Sequence, residues 1–202
     1  MKSRGLLIAL VVIGVLAVFV LGIFLWGLGI YNSLVGLDEG VRSAWSQVES
    51  QYQRRADLIP NLVNTVKGFA SQEKAVLLGV TEARAKVGQI TVTKDVVEDP
   101  VAFSKFQAAQ DQFSSAISRL LVVAENYPTL KSNENFLSLQ TQLEGTENRI
   151  AVERKRYNDV VQGYNISIRK FPGSVIAGMT GFKEKQYFKA KEGAENVPEV
   201  KF

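Results

Sequence analysis

The sequence predicts an all-α fold: an N-terminal transmembrane helix followed by an antiparallel bundle of three long helices with short C-terminal helical pieces. Three observations predict it. Gly5 to Ile30 is an uncharged, almost continuously apolar run. Beyond it, apolar residues recur at alternating steps of three and four, the spacing of one helix face. The interruptions fall where turn chemistry is concentrated, at Gly88 to Glu98, at Tyr127-Pro128 and at Phe171-Pro172-Gly173.

The apolar run exceeds the roughly 20 residues needed to cross a bilayer core. A cleaved signal peptide has a shorter apolar core followed by small residues at the cleavage site. Here Phe19, Phe24, Leu25 and Trp26 occupy that place, which favours an uncleaved signal-anchor. Trp26 and Tyr31 suit the far interface. Lys2 and Arg4 precede the span, whereas Asp38, Glu39 and a single Arg42 follow it. This bias places the N-terminus in the cytoplasm and the bundle on the periplasmic or extracytoplasmic side of the inner membrane. The expected organisation is an anchor over residues 1–31, a bundle over 32–188 and a flexible tail over 189–202.

The longest seam comprises Val41, Trp45, Val48, Tyr52, Ile59, Leu62, Val66, Phe69, Val76, Val80, Ala83 and Val87, with Arg55 and Glu73 filling its gaps. Pro60 within it should kink a helix by removing one backbone bond. The unbroken phase favours one bent helix of coiled-coil character over two helices parted near Lys67-Gly68-Phe69. Asp99-Pro100 starts the second helix, as cap and first helical residue. Its seam runs through Phe103, Phe106, Gln110, Phe113, Ile117, Leu120 and Ala124. Ser132 or Asn133 caps the third, whose seam is Phe136, Leu139, Leu143, Thr146, Ile150, Glu153, Tyr157, Val160 and Tyr164.

Composition narrows the function. Hydrophobic residues make up 46% and charged residues 22% of the 202 positions, so a folded domain is expected. The net charge of +4 is spread among acidic residues, which argues against nucleic-acid binding. The chain has neither Cys nor His. Disulfides, thiolate chemistry, His-based triads and His- or Cys-ligated zinc are therefore excluded. Glu144, Glu147 and Glu153 share a helix, but the di-metal bundle motif also requires Glu-x-x-His. Neither a phosphate loop nor a nucleophile elbow is present. No catalytic, cofactor-binding or metal site is expected.

The informative polar groups lie in or beside the seams: Arg55, Glu73, Arg84, Arg149 and Glu153. They read as a structural polar core that specifies register. With one long rising helix, a descending second and a rising third, Glu73 should meet Arg149 and Arg84 should meet Glu153. Arg55 should face the Tyr127-Pro128 turn, Glu125 or Glu134. Lys183, Lys185 and Lys189 cluster near Phe182, Tyr187 and Phe188, and read as surface positions or contacts to anionic headgroups.

Several stretches resemble the LemA family of bacterial membrane proteins. They are Tyr31-Asn32-Ser33-Leu34-Val35, Ala44-Trp45-Ser46-Gln47-Val48-Glu49, the Gln51 to Val63 run, and Glu125-Asn126-Tyr127-Pro128-Thr129-Leu130-Lys131. Leu143-Glu144-Gly145-Thr146-Glu147-Asn148-Arg149-Ile150, Phe171-Pro172 and Gly181-Phe182 extend the likeness. The resemblance implies a single span, a helical bundle and no assigned activity. The family often carries His after the Lys67-Gly68 position, where this chain has Gln72; a family-wide metal site there is not supported. The expected role is a non-catalytic scaffold or adaptor that contacts lipid through residues 5–30 and proteins through exposed helix faces. A self-assembling homo-oligomer is the alternative, motivated by surplus apolar positions on the long helix. An enzyme using carboxylates alone ranks third.

Overall fold

The computed structural model describes residues 2–90 and 96–189, with side-chain surroundings from Leu10 onward. The described chain forms six helices: α1 (Lys2–Phe69), α2 (Lys74–Gln89), α3 (Pro100–Ala124), α4 (Pro128–Lys131), α5 (Glu134–Arg169) and α6 (Gly173–Thr180). Residues 182–189 follow as an irregular strap.

α1 is one helix of 68 residues, about 100 Å long at 1.5 Å per residue. It carries the apolar run and continues without interruption into the bundle. Side chains from Leu10 to Trp26 are exposed, as befits a helix apolar and long enough to cross a membrane. Farther along, the seam residues Val41, Trp45, Val48, Tyr52, Arg55, Ile59, Leu62 and Val66 are all buried. Pro60 sits on the exposed side, and the helix passes through it.

The single bent helix to Val87 is not what forms. α1 ends at Phe69, and residues 70–73 turn the chain through a helical hairpin. The seam itself slips there: Phe69 is exposed while Ala70 is buried. α2 then runs back along α1, so that Arg84 Nε donates to the Ala56 carbonyl at 2.9 Å. Periodicity reports which face is apolar and does not report whether the helix axis reverses. Leu77 takes the place expected of the half-buried Val76, and with Val80 it is buried in the same cluster as Val66 and Ala70.

With α2 descending, α3 rises, α4 caps the far end and α5 descends beside α1. The long elements thus make a four-helix arrangement, α1–α2–α3–α5, in up-down order. Local signals hold at the starts. Asp99 accepts from the Val101 and Ala102 amides with Pro100 as the first helical residue, and Asn133 accepts from the Phe136 amide.

The interior divides into two apolar clusters. The lower one gathers Leu34, Val41, Trp45, Tyr52, Phe103, Phe106, Tyr157, Tyr164 and Phe188. The upper one gathers Ile59, Leu62, Val66, Phe113, Leu120, Leu130, Phe136 and Leu143. Arg55 lies at the level between them.

Candidate functional site

Among the described residues two cations are buried in this bundle, and each is enclosed by partners from separate parts of the chain. The first is Arg55, which is 1% exposed. Its Nη1 donates to Glu147 Oε1 at 2.7 Å and to Ser114 Oγ at 2.6 Å. Its Nη2 donates to Gln110 Oε1 at 2.5 Å. The guanidinium carbon lies 5.2 Å from the Tyr52 ring centroid and 5.0 Å from that of Phe113, within cation–π range. Arg55 therefore ties α1 to α3 and α5 in one layer. This centre holds the three helices in position.

The second is Lys185, 4% exposed. Its Nζ stands 2.8 Å from Asp38 Oδ1 and 2.6 Å from Glu98 Oε1. It also lies 5.3 Å from the Tyr164 ring centroid. Arg42 reaches Asp38 Oδ2 at 3.0 Å from the solvent side. One ammonium is thus shared by two carboxylates, one from α1 and one from the segment before α3.

Lys185 belongs to the strap, which is gripped along its length. Asn165 Nδ2 donates to the Lys185 carbonyl, and the Lys185 amide donates back to Asn165 Oδ1, both at 2.9 Å. Asn158 grips Phe188 in the same two-way manner, also at 2.9 Å. Tyr164 donates to the Lys183 carbonyl at 2.9 Å and Tyr157 to the Gln186 carbonyl at 3.0 Å. The Gln186 amide donates to Val97. Burial pushes the phenols of Tyr157 and Tyr164 well up, so both remain donors at ordinary pH. The Phe188 ring fills a box formed by Trp45 at 5.9 Å, Phe103 at 4.9 Å and Tyr157 at 5.4 Å between centroids, with Arg154 over it at 4.5 Å.

Beside these centres, α1, α2 and α3 enclose a cleft of about 370 Å³ lined by Glu49, Tyr52, Arg84, Phe106 and Gln110, among others. Burial raises the Tyr52 phenol to about 12. It also raises Glu49, with a hydrogen bond from Trp45 acting in the opposite sense.

Of the expected polar core, only Arg55 is buried as expected, and its partners are Glu147, Gln110 and Ser114 instead of Glu125 or Glu134. Glu73 accepts from the Tyr127 hydroxyl at 3.0 Å, not from Arg149, which is exposed. Arg84 is exposed and bonds α1, not Glu153. Glu153 is half-buried, with Arg156 at 4.0 Å as its ion pair. The expected pairs require α2 to continue α1, and the hairpin at 70–73 reverses its direction. Lys183 and Lys189 are exposed, but Lys185 is interior. The Lys189 carbonyl accepts from Gln107 and Arg154, so the described chain is still docked at a position assigned to the tail. Residues 190–202, expected as part of a flexible tail, lie outside the described residues. A signal for Lys185 was present at Asp38. It extends the seam backward through Leu34, Asp38, Val41 and Trp45, and an acid on a buried stripe calls for a buried cation.

The fold and these centres define a class: an all-α bundle built on one long apolar-ended helix, whose buried charges hold its own C-terminal strap. The chain belongs to the LemA family, whose profile matches residues 44–202. It is 31% identical to magnetosome protein MamQ 2 of Paramagnetospirillum magneticum over 211 aligned residues, spanning 96% of this chain and 76% of that protein. It is 29% identical to magnetosome protein MamQ of Magnetospirillum gryphiswaldense, over 82% of this chain and 66% of that one. Protein LemA of Metamycoplasma hominis is 24% identical over 87% of this chain and 76% of its own. The apolar N-terminal helix fits a membrane location.

Proposed function

We propose that the protein is a non-catalytic, membrane-anchored scaffold of the bacterial envelope that presents its bundle to protein partners. One observation carries this reading. The helix that contains the apolar run is the same unbroken helix that forms the bundle's main wall, so the bundle is held at a fixed distance and angle from the bilayer. The two buried charged centres are enclosed by their own partners, which gives them a structural task. The charge bias of Lys2 and Arg4 against Asp38 and Glu39 orients the bundle away from the cytoplasm of the inner membrane.

The motive for the self-assembling alternative weakens. The apolar positions of α1 from Val41 to Val66 are already covered by α2, α3, α5 and the strap. Photo-crosslinkers placed in cells at the exposed Leu78, Val122 and Val152 test the scaffold reading. Discrete partner proteins, identified by mass spectrometry and differing from face to face, are expected. Crosslinks exclusively between copies of this chain would favour the homo-oligomer, and no protein crosslink from any face would overturn the scaffold.

A further inference from the structure

We propose that α6 and its flanks form a second membrane contact, a short hairpin seated among the acyl chains of the leaflet next to the bundle. This rests on α1 being the span. α5 delivers the chain downward to Arg169, and α6 then packs beside the upper end of the apolar run. A side-chain carbon on Gly27 would stand 3.8 Å from Ile176 Cδ1, an ordinary contact distance, so the two helices lie side by side here. Residues 23–31 of α1 and residues 171–180 together line a groove of about 710 Å³, among them Ile23, Trp26, Phe171, Val175, Ile176 and Met179. Gly27 lies three residues inside the end of the uncharged run, or about 5 Å deep, and Ile23 about 10 Å deep. α6 therefore shares the depth of a segment already read as being in lipid.

The outward side of this hairpin is apolar. Phe171 is 79% exposed, Met179 80% and Val175 51%. Large side chains so clustered mark an interaction surface. No charged residue occurs from Phe171 to Phe182, whereas Arg169 and Lys170 precede the stretch and Lys183 follows it. Those cations are exposed and placed to meet phosphate headgroups while the apolar stretch dips below them. A segment in lipid must also satisfy its own backbone and hydroxyls. The Ser174 amide donates to Lys170, the Gly181 amide to Ala177, and the Thr180 hydroxyl to Ile176 at 2.7 Å. The continuity of the groove with the span identifies the occupant as phospholipid acyl chains.

The chain has no cysteine, so single nitroxide labels need no background removal. The full chain is reconstituted in phosphatidylethanolamine/phosphatidylglycerol vesicles with a label at F171C, V175C or M179C. Label accessibility to oxygen, which concentrates in lipid, is compared with that to a water-soluble nickel chelate. F19C in the span and V152C on the bundle are the references, and circular dichroism confirms folding of each variant. F171C and M179C should fall below the deeper F19C in their oxygen-to-nickel ratio and exceed V152C at least several-fold. Ratios equal to that of V152C, with F19C still in lipid, would overturn the hairpin and leave the span intact. A water-exposed F19C would instead remove the span reading itself. Exclusion of both reagents together with dipolar broadening between labels would mean that a second copy covers α6, and would also overturn the assignment to lipid.

Discussion

Arg55 on α1 and Glu147 on α5 meet at 2.7 Å, 92 positions apart in the chain. The two ends of the pair are unequal: the Arg55 side chain is 1% exposed and that of Glu147 42%. Truncating the buried end leaves the desolvated polar groups of Gln110 and Ser114 facing a cavity, whereas truncating the other leaves a carboxylate site that water can fill. Arg55→Ala should therefore cost about 3–5 kcal/mol, and Glu147→Ala, which leaves the buried guanidinium with Gln110, Ser114 and the water that enters the half-exposed carboxylate site, about 1–3 kcal/mol. Urea unfolding of the detergent-solubilised chain measures both; equal losses would contradict the asymmetry.

Lys185→Met keeps the length of the stem but leaves Asp38 and Glu98 facing each other without their ammonium. A loss of about 3–5 kcal/mol is expected, together with faster proteolysis of the strap. Asp38→Asn should soften the effect, so the double variant should lose clearly less than the sum of the single losses. Strict additivity would show that the ion pair is not coupled.

Asn165 and Asn158 each exchange two hydrogen bonds with the strap's main chain. Asn165 is buried and Asn158 half-buried. Asn165→Ala should cost about 2–3 kcal/mol and Asn158→Ala about 1–2 kcal/mol, since unpaired buried amides and carbonyls carry a desolvation penalty. Thermal melting ranks them.

Gly173 opens α6 where the backbone passes the end of α5. An added Cβ would clash with the Ser167 carbonyl oxygen, which is backbone and cannot rotate aside. Gly173→Ala should destabilise by about 1–3 kcal/mol. Gly145→Ala, where such a carbon meets nothing within 4 Å, should be neutral or mildly stabilising because Ala is the better helix former. The two melting temperatures should shift in opposite directions or by clearly different amounts.

Glu49 has a carboxyl raised above 4.5 by burial. The folded state thus favours its neutral form. This group adds stability at low pH and loses that contribution as pH rises from its unfolded value through its folded one. Glu49→Gln should accordingly be more stable than the wild type at pH 7, with the difference shrinking below about pH 4.5. An equal difference at both pH values would remove burial of Glu49 as the cause.

Much of this protein is decided by spacing alone. The uncharged run, the buried stripe from Val41 to Val66, the seams of α3 and α5, and the caps at Asp99 and Asn133 are local matters. Each depends on neighbours within a few turns, so the sequence by itself determines it. The tertiary structure decided what periodicity cannot carry. Val76, Val80, Ala83 and Val87 are in phase with α1 whether the chain continues or folds back, and only docking against α1 and α3 selects the hairpin at 70–73. That reversal sent Glu73 to Tyr127, Arg84 to Ala56 and Arg55 to Glu147. Lys185 looks like a surface residue among other lysines, because its surroundings consist of Asp38, Glu98 and Asn165, which lie far away along the chain. A residue's burial is set by what the rest of the chain brings to it, and in a bundle those partners are fixed only once every helix has its direction.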